Sequence, residues 1–387
     1  MRCLFAFCVA LLLIGCGSSG EKWYTREIER GDPIPRVDDV KVAWLGVFTL
    51  AITDGETTII VDPFVTRPSL GCVVGNEPLA SNPEVVDWWV DELCIRSNIG
   101  AVIVTHSHYD HLLDGAAFVQ LANHEHGGPR AKLYGSRSTL IVGKTQGLTR
   151  DELFGVSLGE PIRVGDFTMT FLPDVHGPHV GDITLAGGVI DPDEFTRESG
   201  AWEWCLGASY AVVIEHSGRR LLLSSGTGRV EVDTFTEQRK AEVAILGVGG
   251  LDGDDIDDFI QEVPLSAGVE EVIPTHFDNF FVPLTALVDD CVGIHAPPGE
   301  KVPCAWNDDV APSSSVEPGG FKFFPDEVHH VHRFAEKAEL YGLRVRPIEI
   351  GSWYWVFRDR DQPGVLGDPR FGEKCGIRTL GDPCPRD

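Results

Sequence analysis

The chain has 387 residues, 43% of them apolar, which is enough to bury a large core in one elaborated domain. Its formal net charge of −27, without a basic stripe, excludes nucleic acid as a partner, because nothing along it would release counterions from phosphates. Ten cysteines, none spaced as CxxC, argue against thioredoxin-like chemistry and against a zinc knuckle.

At the N-terminus, Met1-Arg2 supplies a small positive region and residues 4–14 an apolar run too short to span a bilayer. Leu13-Ile14-Gly15-Cys16 resembles the cleavage pattern of bacterial lipoproteins. The resemblance implies removal of residues 1–15 as a signal peptide and acylation of Cys16. Residues 16–39, with Gly17-Ser18-Ser19-Gly20, would then be a flexible tether. An exported protein, lipid-anchored at the periplasmic face or cell surface, is the expectation; an ordinary secretory signal cleaved nearby is the other reading. Gly17 in place of a retention aspartate favours an outer-membrane address.

Residues 40–53 and 57–61 read as strands, the second ending at Asp62 before Pro63. A Gly- and Pro-rich insertion, residues 63–98, follows, bracketed by Cys72 and Cys94. Residues 101–104 are strand-like and 116–122 helix-like, and between them stands His106-Ser107-His108-Tyr109-Asp110-His111. This turn at a strand end packs three imidazoles and a carboxylate together. His106 and His108 alternate as two ligands converging on one ion do, while Asp110 and His111 follow where the backbone has turned towards a neighbouring ion. Histidines that merely cap a polar loop rarely crowd in this way.

Further strands are expected at residues 131–134, 161–171, 208–215, 220–224, 241–246 and 271–274, with helices at 138–146, 234–240, 254–262, 283–289 and 327–341. Such an alternation predicts mixed sheets flanked by helices, with no visible internal repeat. A second insertion, residues 187–206, carries Trp202 and Trp204, and either insertion is a candidate wall for a pocket. The acidic run at residues 252–258 reads as a solvated helix start rather than a calcium loop, and residues 351–387 as an irregular extension stapled by a disulfide.

The HxHxDH pattern of His106, His108, Asp110 and His111 resembles the metallo-β-lactamase fold hydrolases. That implies an α/β fold, a four-layer αββα sandwich of two mixed β-sheets flanked by helices, over residues 40–350, with the site at one edge of the sheets. By the same resemblance Asp62 supports the metal ligands from behind. His176 completes a first metal position with His106 and His108, with His179 as a substitute or substrate contact. His276 completes a second with Asp110 and His111. Ser225-Gly226-Thr227-Gly228 stands where the family has Gly-Asp-Thr-Gly, so Gly226 occupies the place of the carboxylate that bridges two ions about 3.5–4 Å apart. The implied cofactor is Zn2+ at one firm position, with Mn2+ or Fe as alternatives. The second position is expected to be weak or absent unless Asp174, Asp182 or Asp233 supplies a carboxylate.

Trp44-Leu45-Gly46, Asp62-Pro63-Phe64 and His108-Tyr109-Asp110-His111-Leu112 look most like the branch of lactonase-like proteins and N-acylphosphatidylethanolamine phospholipase D, although Val47 replaces that branch's histidine. The resemblance implies a zinc-activated water cleaving a phosphodiester or lactone of a small-molecule or lipid-like substrate, with Asp110 as general acid or base and His179 and Tyr109 as transition-state contacts. A β-lactam hydrolase, or a degenerate ligand-binding surface lipoprotein, are the alternatives. Export would permit the disulfides Cys72 with Cys94, Cys291 with Cys304 and Cys375 with Cys384, leaving Cys205 over.

Overall fold

Lys41–Trp44 (β1) and Leu50–Thr53 (β2) are two strands where the sequence reads one. Gly46 (φ 82°) and Val47 (φ 45°) fold the chain back, and the Leu45 N–H closes the turn on the Thr49 carbonyl at 2.8 Å. This computed structural model describes residues 40–124, 131–177, 184–228, 235–236, 239–251, 254–278, 281, 327–346, 348, 350–351 and 353–357. β3 (Thr58–Val61), β-branched throughout, and β4 (Ile99–Ile103), without a charged residue, are wholly buried, as expected of strands covered on both faces. Between them the first insertion holds two helices rather than irregular chain. α1 (Leu70–Val74) begins at Ser69, whose side chain accepts the Cys72 N–H, and α2 (Pro83–Glu92) begins at Asn82 with Pro in its first turn.

The histidine turn opens α3 (Tyr109–Leu112), followed by α4 (Gly115–His124), β5 (Lys132–Gly135), α5 (Arg137–Thr145) and β6 (Leu153–Gly155). A hairpin at Gly165 (φ 57°) divides the expected strand 161–171 into β7 (Pro161–Val164) and β8 (Phe167–Asp174). Then come β9 (Ser209–His216), β10 (Arg219–Ser224), β11 (Val243–Gly247), α6 (Asp254–Ile260), β12 (Glu271–Thr275), α7 (Glu327–Leu340) and β13 (Arg344–Val345). The last strand, β14 (Trp353–Trp355), pairs antiparallel with β1. The chain therefore stays in the fold past residue 351, where the sequence suggests only an irregular extension.

Among the described residues the strands form two seven-stranded sheets, in the orders β14-β1-β2-β3-β4-β5-β6 and β7-β8-β9-β10-β11-β12-β13. Along each order, three antiparallel pairings are followed by three parallel ones. This is a structural repeat that the sequence does not display. Helices α4 and α5 pack on the first sheet, and α6 and α7 lie with the second. One continuous apolar core joins residues of both sheets, Ile60 and Val102 with Phe171, Leu222 and Ile245 among them. Arg346 ties the end of β14 to β12: it pairs with buried Glu271 at 2.5 Å and donates to the carbonyls of Trp355 and Val356.

Among the described residues no helix is long and apolar enough to cross a membrane. Cys72 lies in α1, Cys94 just beyond α2, and Cys205 is a free thiol; Cys16, Cys291, Cys304, Cys375 and Cys384 lie outside the described residues, as does the helix expected at 283–289.

Candidate metal centre

Parallel strands leave their C-terminal ends along one edge, and the expected site residues gather there. Asp62 follows β3, the histidine turn follows β4, His176 follows β8 and His276 follows β12. Ligand atoms of His106, His108 and His176 lie within 4.8 Å of one another, and so do those of Asp110, His111 and His276. In the first group His106 is fully buried, and its Nε2 has no hydrogen-bond partner among the described residues. A buried polar nitrogen left so costs about 1–3 kcal/mol, which a bound cation would offset. His176 donates from Nδ1 to the Gly177 carbonyl at 2.7 Å, leaving Nε2 as the ligating atom.

In the second group the His111 and His276 Nε2 atoms stand 3.2 Å apart, and Asp110 Oδ2 lies 3.6 Å and 3.8 Å from them. Ligands about 2.0–2.1 Å from a tetrahedral ion are separated by roughly 3.3–3.4 Å, so both donor set and spacing fit a divalent cation. Burial lowers the pKa of His106 and His176 and brings His276 down to about 4, so these imidazoles are neutral near pH 7, as ligation requires. Burial also pushes the Asp110 carboxyl up to about 7.

Asp62 sits behind both groups. Its Oδ1 accepts the Thr105 N–H at 2.6 Å, and its Oδ2 accepts the Thr105 hydroxyl at 2.5 Å and His111 Nδ1 at 2.8 Å. With both oxygens engaged, it orients His111 rather than offering a ligand. Thr105 also meets Ser225 Oγ at 2.6 Å, and His106 Nδ1 lies 3.2 Å from Thr105 Oγ1 and 3.4 Å from Ser225 Oγ. Asp62 (φ 43°) and His276 (φ 61°) both occupy left-handed backbone, strain of about 1–3 kcal/mol each that concentrates where function fixes a side chain.

Sequence reasoning missed Thr105, Ser225 and Asp114. Asp114 accepts the Val65 and Thr66 N–H groups at 2.7 Å, the Thr66 hydroxyl at 2.6 Å and the Ser81 hydroxyl at 2.5 Å, clamping the first insertion to the histidine turn. Its position four residues after Asp110 was the available signal. A Cβ at Gly226 would lie 3.3 Å from His176 Cα and 3.5 Å from Ser209 Oγ, so a side chain there would start beside the first group. Asp174 accepts the Ser224 hydroxyl at 3.3 Å and joins no donor group, while Asp62, whose carboxylate is grouped with His106 and His111, has both oxygens engaged by Thr105 and His111. Tyr109 packs edge-on against Phe64, and burial raises its pKa, keeping the phenol protonated. His179, Asp182 and Asp233 lie outside the described residues.

The two insertions meet each other beside this edge. Trp202 N–H donates to Asn76 Oδ1 at 2.9 Å and Leu79 N–H to the Ser199 carbonyl at 3.1 Å, while Ser107 N–H donates to the Leu206 carbonyl at 2.8 Å. Trp204 is buried against Phe195 and Trp202 is 40% exposed.

The family described as Beta-lactamase superfamily domain matches residues 57–302, well over half of the chain. The chain belongs to this family. Similar curated proteins include a metal-dependent hydrolase of Ruegeria sp. (strain TM1040), 23% identical over 62% of this chain and 87% of its own length. Another, from Hyperthermus butylicus, is 24% identical over 62% of this chain and 99% of its own length. Among solved structures, the metallo hydrolase Igni18 of Ignicoccus hospitalis is 16% identical, with 83% of this chain and 100% of that chain covered at a TM-score of 0.45.

Proposed function

We propose that this chain is a metal-dependent hydrolase that cleaves an ester-type bond, a phosphodiester or lactone, in a small or lipid-like substrate. The observation that carries this reading is the buried Nε2 of His106, without a hydrogen-bond partner among the described residues and grouped with His108 and His176 at the strand edge. His106, His108 and His176 would hold one ion, and Asp110, His111 and His276 a second, weaker one, since Gly226 offers no bridging carboxylate. The imidazole-rich set suits Zn2+ first, with Mn2+ or Fe as alternatives. Such an ion acts as a Lewis acid, lowering the pKa of water and polarising the reacting oxygen of the substrate.

The chain's own residues supply the rest. Asp62, Thr105, Ser225 and the Gly177 carbonyl fix the imidazole orientations. Where the second position holds no ion, Asp110, whose carboxyl burial pushes up to about 7, is poised to take or give a proton at neutral pH. We further propose acylation at Cys16, which would hold the domain at a bacterial membrane beside lipid-like substrates, and the three disulfides that export permits. Mass measurement of the mature N-terminus and non-reducing peptide mapping test these two.

The decisive experiment is a panel of phosphodiesters, lactones and esters assayed with Zn2+ or Mn2+, beside His108→Ala. Metal-dependent turnover abolished by the substitution is the expected result. Binding of metal without turnover of any substrate favours a ligand-binding lipoprotein, and nitrocefin turnover at ordinary enzyme rates favours a β-lactam hydrolase.

A further inference from the structure

Arg67, buried in the first insertion, has no part in the reading above. Its Nη2 donates to Asp278 Oδ2 at 3.0 Å, and its guanidinium carbon lies 5.1 Å from the centre of the Phe64 ring. Its Nε and Nη1 have no hydrogen-bond partner among the described residues. Asp278 uses its other oxygen to accept the Val47 N–H at 2.7 Å, and the Val47 carbonyl accepts the His276 N–H at 2.8 Å. A closed circuit thus runs from Arg67 through Asp278 and Val47 to His276, which lies two residues before Asp278.

Both Val47 (φ 45°) and His276 (φ 61°) are in left-handed backbone, so neither would keep its conformation without such a restraint. Gly46 makes the circuit possible: a Cβ there would fall 2.0 Å from Arg67 Nη2 and 2.7 Å from Asp278 Oδ2. The backbone just before Arg67 is itself fixed by Asp114, through Val65 and Thr66. His106 and His176, by contrast, are oriented by Thr105, Ser225 and Gly177, outside this circuit.

We propose that Arg67 and Asp278 are positioning residues for His276, and that they set the affinity of the Asp110–His111–His276 group for a divalent cation while leaving the three-histidine group unaffected. This rests on reading the two groups as cation positions. A buried ion pair with unpartnered donors is a poor way to gain stability alone, but it is well suited to holding one geometry.

The test is equilibrium dialysis with Co2+ up to millimolar concentration, counting bound equivalents and following visible absorption. The wild-type chain should take one tight and one weaker equivalent. Arg67→Met and Asp278→Asn should each weaken the second at least tenfold while the first changes less than twofold, and Arg67→Lys should recover part of the loss. The retained first equivalent reports a folded site, and Asp278→Asn, nearly isosteric, decides the matter if Arg67→Met does not fold. Equal weakening of both equivalents, no change in either, or a wild-type chain that stops at one equivalent would overturn the proposal. A wild-type chain with no tight equivalent would instead overturn the metal reading beneath it.

Discussion

Burial acts in opposite directions on the acids and imidazoles of the centre. It brings His276 down to about 4 and lowers His106 and His176, but raises Asp110 to about 7. Cation uptake needs neutral imidazoles and an ionised carboxylate, so near neutral pH His276 has no proton to lose and Asp110 does. With a carboxyl near 7, the ionised fraction falls from about nine-tenths at pH 8 to about one-tenth at pH 6. Affinity of the Asp110–His111–His276 group should therefore drop roughly tenfold over that range. Calorimetry in buffers of different ionisation enthalpy should find close to one proton released per ion at pH 6 and few at pH 8, and Asp110→Asn should flatten the dependence. Asp62 offers a second test, because an amide cannot accept from Thr105 and His111 at both of its ends. Asp62→Asn should weaken cation binding about 10–100-fold in competition with a chelating dye, whereas a residue that merely begins a turn would tolerate the change.

The edge strand β14 shows at the scale of elements what a linear reading misses. Its three residues pair with β1 across almost the whole chain, Lys41 opposite Trp355 and Ala43 opposite Trp353, and Arg346 anchors its end. Ending the chain after Gly351 would expose the edge of β1 and leave a buried guanidinium without its carbonyl acceptors. The expected loss is about 3 kcal/mol or more, read as a lower urea midpoint, since hydrogen bonds to a charged group contribute about 1.5–3 kcal/mol each. The buried strands and the histidine turn were legible in the sequence because their signals are local: short runs of apolar, often β-branched residues, and four donors within six positions. The helices α1 and α2 were hidden because their caps, Ser69 and Asn82-Pro83, stand in a segment whose Gly and Pro content reads as loop. The turn at Gly46 was hidden inside an apolar run. Arg67 and Asp278, 211 residues apart, carry no sequence signal of their pairing.

On the scale of the whole molecule, each donor group takes ligands from both sheets. His106 and His108 follow β4 of the first sheet and His176 follows β8 of the second; Asp110 and His111 likewise face His276. A cation bound to either group would cross-link the sandwich, and neither group exists in the unfolded chain. Binding should therefore raise stability by about 2.7 kcal/mol at a hundredfold excess over Kd, or roughly 4 °C in Tm for a domain of about 300 residues. Removing metal with a chelator should reverse the gain in a thermal unfolding experiment. His176→Ala leaves the first group with donors from one sheet only, so the Zn2+-dependent increment should shrink to the smaller part that the Asp110–His111–His276 group supplies. An undiminished increment in that variant would mean that the ion stabilises the fold from elsewhere. The net charge of −27 attracts divalent ions over the whole surface, so Mg2+ at the same concentration is the proper control. Imidazole nitrogens favour Zn2+ strongly over Mg2+, and only a response to Zn2+ much larger than to Mg2+ assigns the stabilisation to the histidines that join the two sheets.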